Sequence, residues 1–226
     1  MKKLAIILGL CLALVITVVG CSSGNSDRTD LKIGVSALTA LADAHVTDYV
    51  ELLQELATKV EVQSADWPQM RDLLTGQART RIAASVYFIL PDGSGFIPAQ
   101  EKAVSNLTDR DYFPKVMAGN TVVGTLVVGK VSSADSYVVA VPIKRDGKVV
   151  GALGTTPYLD KMSQTLSQEI GIDSSRVFYA LDNNGTVALS SDTSQIMAQQ
   201  PVLSQDVEWK TSSITGWRFA LGYPAK

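Results

Sequence analysis

One histidine, two cysteines and no cluster of reactive side chains leave this sequence little with which to do covalent chemistry. His45 lies within an apolar-periodic run, so a Ser–His–acid triad would have to recruit it from the stripe of a helix. A histidine in that setting more often packs between helices. Cys11 and Cys21 both sit at the extreme N-terminus, which leaves the body of the chain without a disulfide framework or a His–Cys zinc site. Asp182-Asn183-Asn184-Gly185 lacks the alternating spacing and closing glutamate of a calcium loop and reads as a turn. Gly147, Gly151 and Gly154 lie between two strand-like runs, whereas a dinucleotide fingerprint needs a strand followed by a helix. No catalytic residue, metal or cofactor is expected. The polar groups that remain are suited to binding rather than to reaction.

The composition is 46% hydrophobic, 19% charged and 7% aromatic, with a formal net charge of −2. This is an ordinary globular mix that excludes chain-wide disorder and fibrous structure, and its acidic balance argues against a nucleic-acid partner. Lys2-Lys3 precede an apolar run from Leu4 to Val19, followed by Gly20 and Cys21. That run is short for a membrane span of about 20 residues but suits the core of a signal peptide. Val18-Val19-Gly20-Cys21 resembles the lipobox of prokaryotic lipoproteins, in which the cysteine thiol carries diacylglycerol. The competing reading is an uncleaved signal anchor with an incidental cysteine. With the lipobox, Cys21 is the lipidation site, Cys11 leaves with the signal peptide, and the location is the extracytoplasmic face of a prokaryotic envelope. Ser22 to Asp27 then reads as the start of a polar tether.

The expected layout is a signal peptide over 1–20, lipidated cysteine and tether over 21–30, and a long helix over 31–62. A ligand-binding domain over 63–172 and a smaller C-terminal subdomain over 173–226 follow. The helix rests on Leu38, Leu41, His45, Tyr49, Leu52, Leu56 and Val60, which recur at three- and four-residue spacing. Asp66 and Gln69 suggest a capping box for a second helix, with Pro68 tolerated in its first turn. The period then changes to that of strands at Ser85–Leu90, Thr121–Val128, Tyr137–Ile143 and Val149–Thr155. Asp146-Gly147 supplies the last hairpin turn. A helix from Thr156-Pro157 to a Gly171 cap precedes two more hairpins, Val177–Ser190 and Glu208–Tyr223. Helices ahead of hairpins define an α+β fold with antiparallel sheets.

This succession resembles the extracytoplasmic Cache domains of prokaryotic receptors, with a long N-terminal helix followed by a PAS-like antiparallel sheet. The resemblance is carried by Leu107-Thr108-Asp109-Arg110-Asp111-Tyr112-Phe113, Ala118-Gly119, Val122-Val123-Gly124, Pro142 and Gly147 to Gly154. Gly216-Trp217-Arg218-Phe219 is similar to the close of a double-Cache module. The resemblance implies a small-molecule pocket in the membrane-distal sheet, with Arg110 gripping a carboxylate and Tyr112 closing over it. A guanidinium suits that task because it makes two parallel hydrogen bonds and stays charged in a cleft. Lys130 and Ser132 could add donors, Tyr87 and Tyr137 could stack or hydrogen-bond, and Phe113 is either a pocket or a core aromatic. The amino-acid-binding version places an acid at the end of the last distal strand. This chain has Thr155-Thr156 there, and Lys130 where an aspartate often falls. Thr156 is therefore a candidate contact, and a mono- or dicarboxylate is favoured over a free amino acid.

The expected function is that of a non-catalytic, lipid-anchored sensor protein. No second apolar run follows up to Lys226, so signalling is expected to pass through a separate transmembrane protein. The long helix also offers a surface on which two copies could pair. The alternative is a structural or adhesive envelope lipoprotein that keeps the fold without a working pocket.

Overall fold

The structure is a computed structural model that describes residues 23–76, 86–199, 201 and 206–224. The signal-peptide run, Cys11 and Cys21 lie outside the described residues. Helix α1 spans Ser23–Ala57, earlier at both ends than expected. Residues 23–30 are helical where a tether was expected, and Arg28 pairs with Glu208 at 2.6 Å just before Leu31 enters the core. The buried line is Leu31, Val35, Leu38, Ala42, Val46, Tyr49, Leu53 and Leu56, which keeps Leu38, Tyr49 and Leu56 of the expected stripe and takes Ala42, Val46 and Leu53 in place of Leu41, His45 and Leu52. Leu41, His45 and Leu52 flank it half-buried, and Val60 is 75% exposed. The helix stops because Thr58 folds back, its amide and hydroxyl both donating to the Glu55 carbonyl. A one-turn helix α2 (Val60–Gln63) and helix α3 (Trp67–Gly76) follow. The Gln69 side chain donates to the Asp66 carboxylate at 2.7 Å rather than back to the backbone.

Six antiparallel strands make the larger sheet: β1 (Tyr87–Ile89), β2 (Ser94–Phe96), β3 (Ser105–Asn106), β4 (Val122–Val128), β5 (Asp135–Arg145) and β6 (Lys148–Thr155), in the order β3-β2-β1-β6-β5-β4. Short helix α4 (Phe113–Met117) precedes β4, and α5 (Leu159–Ile170) follows β6. The smaller sheet runs β8-β7-β10-β9, from β7 (Val177–Leu181), β8 (Val187–Ser190), β9 (Val207–Thr211) and β10 (Arg218–Gly222). The expected turns hold: Asp146 and Gly147 have positive φ at the β5–β6 hairpin, and Gly171 closes α5 in the left-handed region. The strands β2 and β3 were not foreseen.

Helix α1 packs against both sheets. Its buried line shares one core with Phe88, Val139, Val141 and Leu153 of the larger sheet and with Phe178, Ala180, Phe219 and Leu221 of the smaller. Trp217 ties the two sheets together. Its indole N–H donates to the Gly124 carbonyl at 3.1 Å, and the Tyr137 ring meets it edge-on at 5.4 Å. Asp43 of α1 accepts hydrogen bonds from Ser212 and Ser213, so the helix is also pinned to the β9–β10 connection. Gly124 makes the tryptophan contact possible. It sits at a bulge in β4 with φ of 76°, and a Cβ there would lie 3.1 Å from Thr215 and 3.2 Å from the indole nitrogen. Gly124→Ala should destabilise the protein by about 1–3 kcal/mol through backbone strain. The check is the urea midpoint: a fall with unchanged slope is expected, and an unmoved midpoint would remove the glycine requirement.

Candidate functional site

Side chains alternate across the strands of the larger sheet, so its two faces carry different residues. Phe88, Tyr137, Val139 and Leu153 face the α1 core. Tyr87, Ile89, Val138, Ala140 and Ala152 face the other way, under Leu107, Tyr112 and Val116 from the segment that leads into and forms α4. At the open end of this second layer lies a cavity of about 160 Å³. Its wall comes from β1, β2, the segment 104–112, the end of β4 with residues 129–132, and the start of the β6–α5 connection.

The segment 107–113 is not a strand, so local hydrogen bonds must shape it. The Leu107 amide donates to the Gly93 carbonyl at 2.8 Å, and Arg110 and Phe113 amides close turns onto Leu107 and Arg110. Two side chains clasp it to the end of β4. Arg110 Nη2 donates to the Val128 carbonyl at 2.9 Å. Lys130 Nζ reaches back to the Asn106 carbonyl at 2.6 Å and to both Asp109 carboxylate oxygens at 2.6 and 2.8 Å.

Of the residues expected to form the site, Tyr87, Arg110, Tyr112, Lys130, Ser132 and Thr156 line this cavity. Two do not. Tyr137 is fully buried on the α1 face against Trp217, because its position in β5 has the opposite parity to Val138. Phe113 begins α4 and packs half-buried against the Tyr112–Val116 layer. Lys130 lines the cavity, but its ammonium is engaged by Asp109 and is not the free cation that its sequence position suggested. The lysine holds the Asp109 carboxyl below its ordinary range. Sequence reasoning missed the apolar wall of Phe96, Ile97, Val104, Leu107, Val127 and Val131, and also Tyr158. A signal existed in the apolar pair Phe96-Ile97 after the Asp92-Gly93 turn, which marks a short strand.

Tyr87 is 92% buried, its hydroxyl is sealed from solvent as are those of Tyr137 and Thr155, and the Tyr112 hydroxyl stands beside it. Burial, and then the nearby Tyr112, push its ionisation well up. Gly154 gives the ring its seat, since a Cβ there would fall 2.4 Å from it. Among the described residues no acidic side chain lines the cavity.

No protein-family model matches the sequence, and no curated protein matches it. Solved structures do. The sensor domain of the Vibrio cholerae histidine kinase DctB superposes with a TM-score of 0.73 at 13% identity, covering 89% of this chain and 98% of that one. The ligand-binding domain of the Pseudomonas fluorescens chemoreceptor CtaA, solved with L-valine, gives 0.72 at 14% identity, covering 89% and 98%. The sensory domain of the Campylobacter jejuni chemoreceptor Tlp3, solved with isoleucine, gives 0.64 at 10% identity, covering 88% and 93%. The fold is that of the Cache-type sensor domains.

Burial raises the ionisation of Tyr87, Tyr137 and Tyr112 alike. A raised tyrosine means that the native state keeps a proton which the unfolded chain loses near its ordinary value of about 10. This part of the stability is complete below about pH 10 and is lost as the pH climbs above it. Urea midpoints should be level from about pH 8 and fall above about pH 10, with a smaller fall in Tyr87→Phe. A midpoint level to about pH 11.5, or a Tyr87→Phe curve that overlays the wild type, would contradict the assignment.

Proposed function

We propose that the protein is a non-catalytic, extracytoplasmic sensor that binds a small carboxylate in the cavity between β1, β4 and the 104–112 segment. The observation that carries this reading is Arg110, whose guanidinium spends one donor on the Val128 carbonyl, in a cavity that no acid lines among the described residues. A guanidinium with donors to spare suits the two oxygens of a carboxylate. The neighbours solved with L-valine and isoleucine support a small ligand in a domain of this fold. Those ligands carry an ammonium group, which wants an anion, and among the described residues this cavity offers none.

Anchorage is by a lipid on Cys21, argued from the run of charge, apolar core, glycine and cysteine at the N-terminus. The anchor holds the sensor at the envelope, and a separate transmembrane protein reads its state. Cys21→Ser should move the protein from the membrane fraction to the soluble one. Retention in the membrane would favour an uncleaved signal anchor instead.

Ligand binding stabilises only the native state, so a thermal-shift panel of carboxylates, amines and purines tests the reading directly. A carboxylate well above its dissociation constant should raise the melting temperature by several degrees. Arg110→Ala should then weaken binding by about 2–5 kcal/mol, the scale for a buried hydrogen-bonded charge pair. No shift with any compound would favour a structural lipoprotein, and an unchanged affinity in Arg110→Ala would take that residue out of the site.

A further inference from the structure

The two cations at the cavity are not equivalent. A lysine ammonium has three donors and no acceptor. Lys130 directs its donors at both oxygens of Asp109 and at the Asn106 carbonyl, at 2.6 to 2.8 Å. Its charge is matched and its hydrogen-bonding capacity is filled from outside the cavity, since Asp109 is not a lining residue. Among the described residues Arg110 has a single hydrogen bond to protein, from Nη2 to the Val128 carbonyl. A guanidinium carries five N–H donors, so the others remain for a guest. Among the described residues the site therefore offers one cation without a counter-charge. The rest of its wall is mostly apolar, from Phe96, Ile97, Val104, Leu107, Val127 and Val131.

Building on the carboxylate reading above, we infer that the cavity selects a monocarboxylate with a short aliphatic body, and that Asp109 sets this selectivity by occupying Lys130. A dicarboxylate would bring a second anion to an apolar wall, where an unpaired charge is costly. An α-amino acid would bring an ammonium with no acid to meet it. An aliphatic body, in contrast, removes its apolar surface from water against the six apolar side chains. Asp109 touches the ligand nowhere in this arrangement. It acts through Lys130, as a positioning residue that keeps a cation from the ligand.

The test is calorimetric titration of isovalerate, succinate and L-valine into the mature wild-type protein and into Asp109→Asn. Asp109 is mostly exposed, and asparagine has the same shape, so folding is not at issue. The wild type should bind isovalerate at least tenfold more tightly than succinate or L-valine. In Asp109→Asn the ammonium loses its counter-charge, and the succinate-to-isovalerate affinity ratio should rise at least tenfold. Adding Lys130→Met to that variant should remove the gain, which a general loosening of the cavity would not. Wild-type binding of succinate as tight as that of isovalerate, or a ratio unmoved in Asp109→Asn, would overturn the assignment while leaving the carboxylate reading intact. Binding of none of the three would overturn the carboxylate reading itself, and this selectivity with it.

Discussion

The length of α1 is the constraint from which the rest of the architecture follows. Its buried line runs from Leu31 to Leu56, which at 1.5 Å per residue is close to 40 Å of continuous apolar stripe. Both sheets take part in covering that length, and residues of each share one core with the helix. The smaller sheet takes the N-terminal part, where Arg28 meets Glu208 and Gly34 passes close to Leu221. The larger sheet takes the remainder, and the one core that results includes residues of both. Trp217 stands where the two meet, and its N–H to the Gly124 carbonyl satisfies a buried polar pair at that junction.

Covering one face of the larger sheet with α1 leaves the other face to be closed by something else. What closes it is irregular chain and one short helix, α4, rather than a second long helix. Such a cover cannot be positioned by ladder hydrogen bonds alone, so charged side chains do part of the work. Arg110 and Lys130 reach across in opposite directions, one from the cover to the strand end and one from beyond the strand end to the cover. The cavity is the space that this clasp leaves over Tyr87. The same contacts that build the wall thus decide which cation faces inward.

Much of this was legible in the sequence because each element carried a local signal. The Asp146-Gly147 turn and the Gly171 cap are short-range patterns, and each sits where its chemistry placed it. The face of Tyr137 was not legible. Residues 137–143 of β5 are apolar throughout, so no polar alternation marks which parity meets α1. The partner of Lys130 was hidden for another reason. Asp109 is 21 residues away, and a bond between two irregular segments leaves no periodic trace. The helix ends differ from the expectation for two reasons: Arg28 near the start pairs with Glu208, 180 residues away, and Thr58 at the close folds back onto the Glu55 carbonyl.

The connection from cavity to helix is contiguous in the structure. The end of β4 lines the cavity at Val127 and Val128, and Arg110 bonds to the carbonyl of the latter. The same strand carries the Gly124 carbonyl that Trp217 holds, and the chain before Trp217 holds Asp43 of α1 through Ser212 and Ser213. Contiguity is not coupling, because a ligand shifts a conformational balance only by as much as it binds one arrangement better than another. The bulge at Gly124 is where such a difference would have to act. It is the point in β4 at which the pairing register with β5 shifts, and the strand beyond it belongs to the cavity while the strand before it belongs to the body of the sheet. A displacement of the cavity end of β4 therefore either passes through the Gly124–Trp217 bond to α1 or is absorbed at the bulge. The stiffness of that one residue's surroundings sets which of the two occurs.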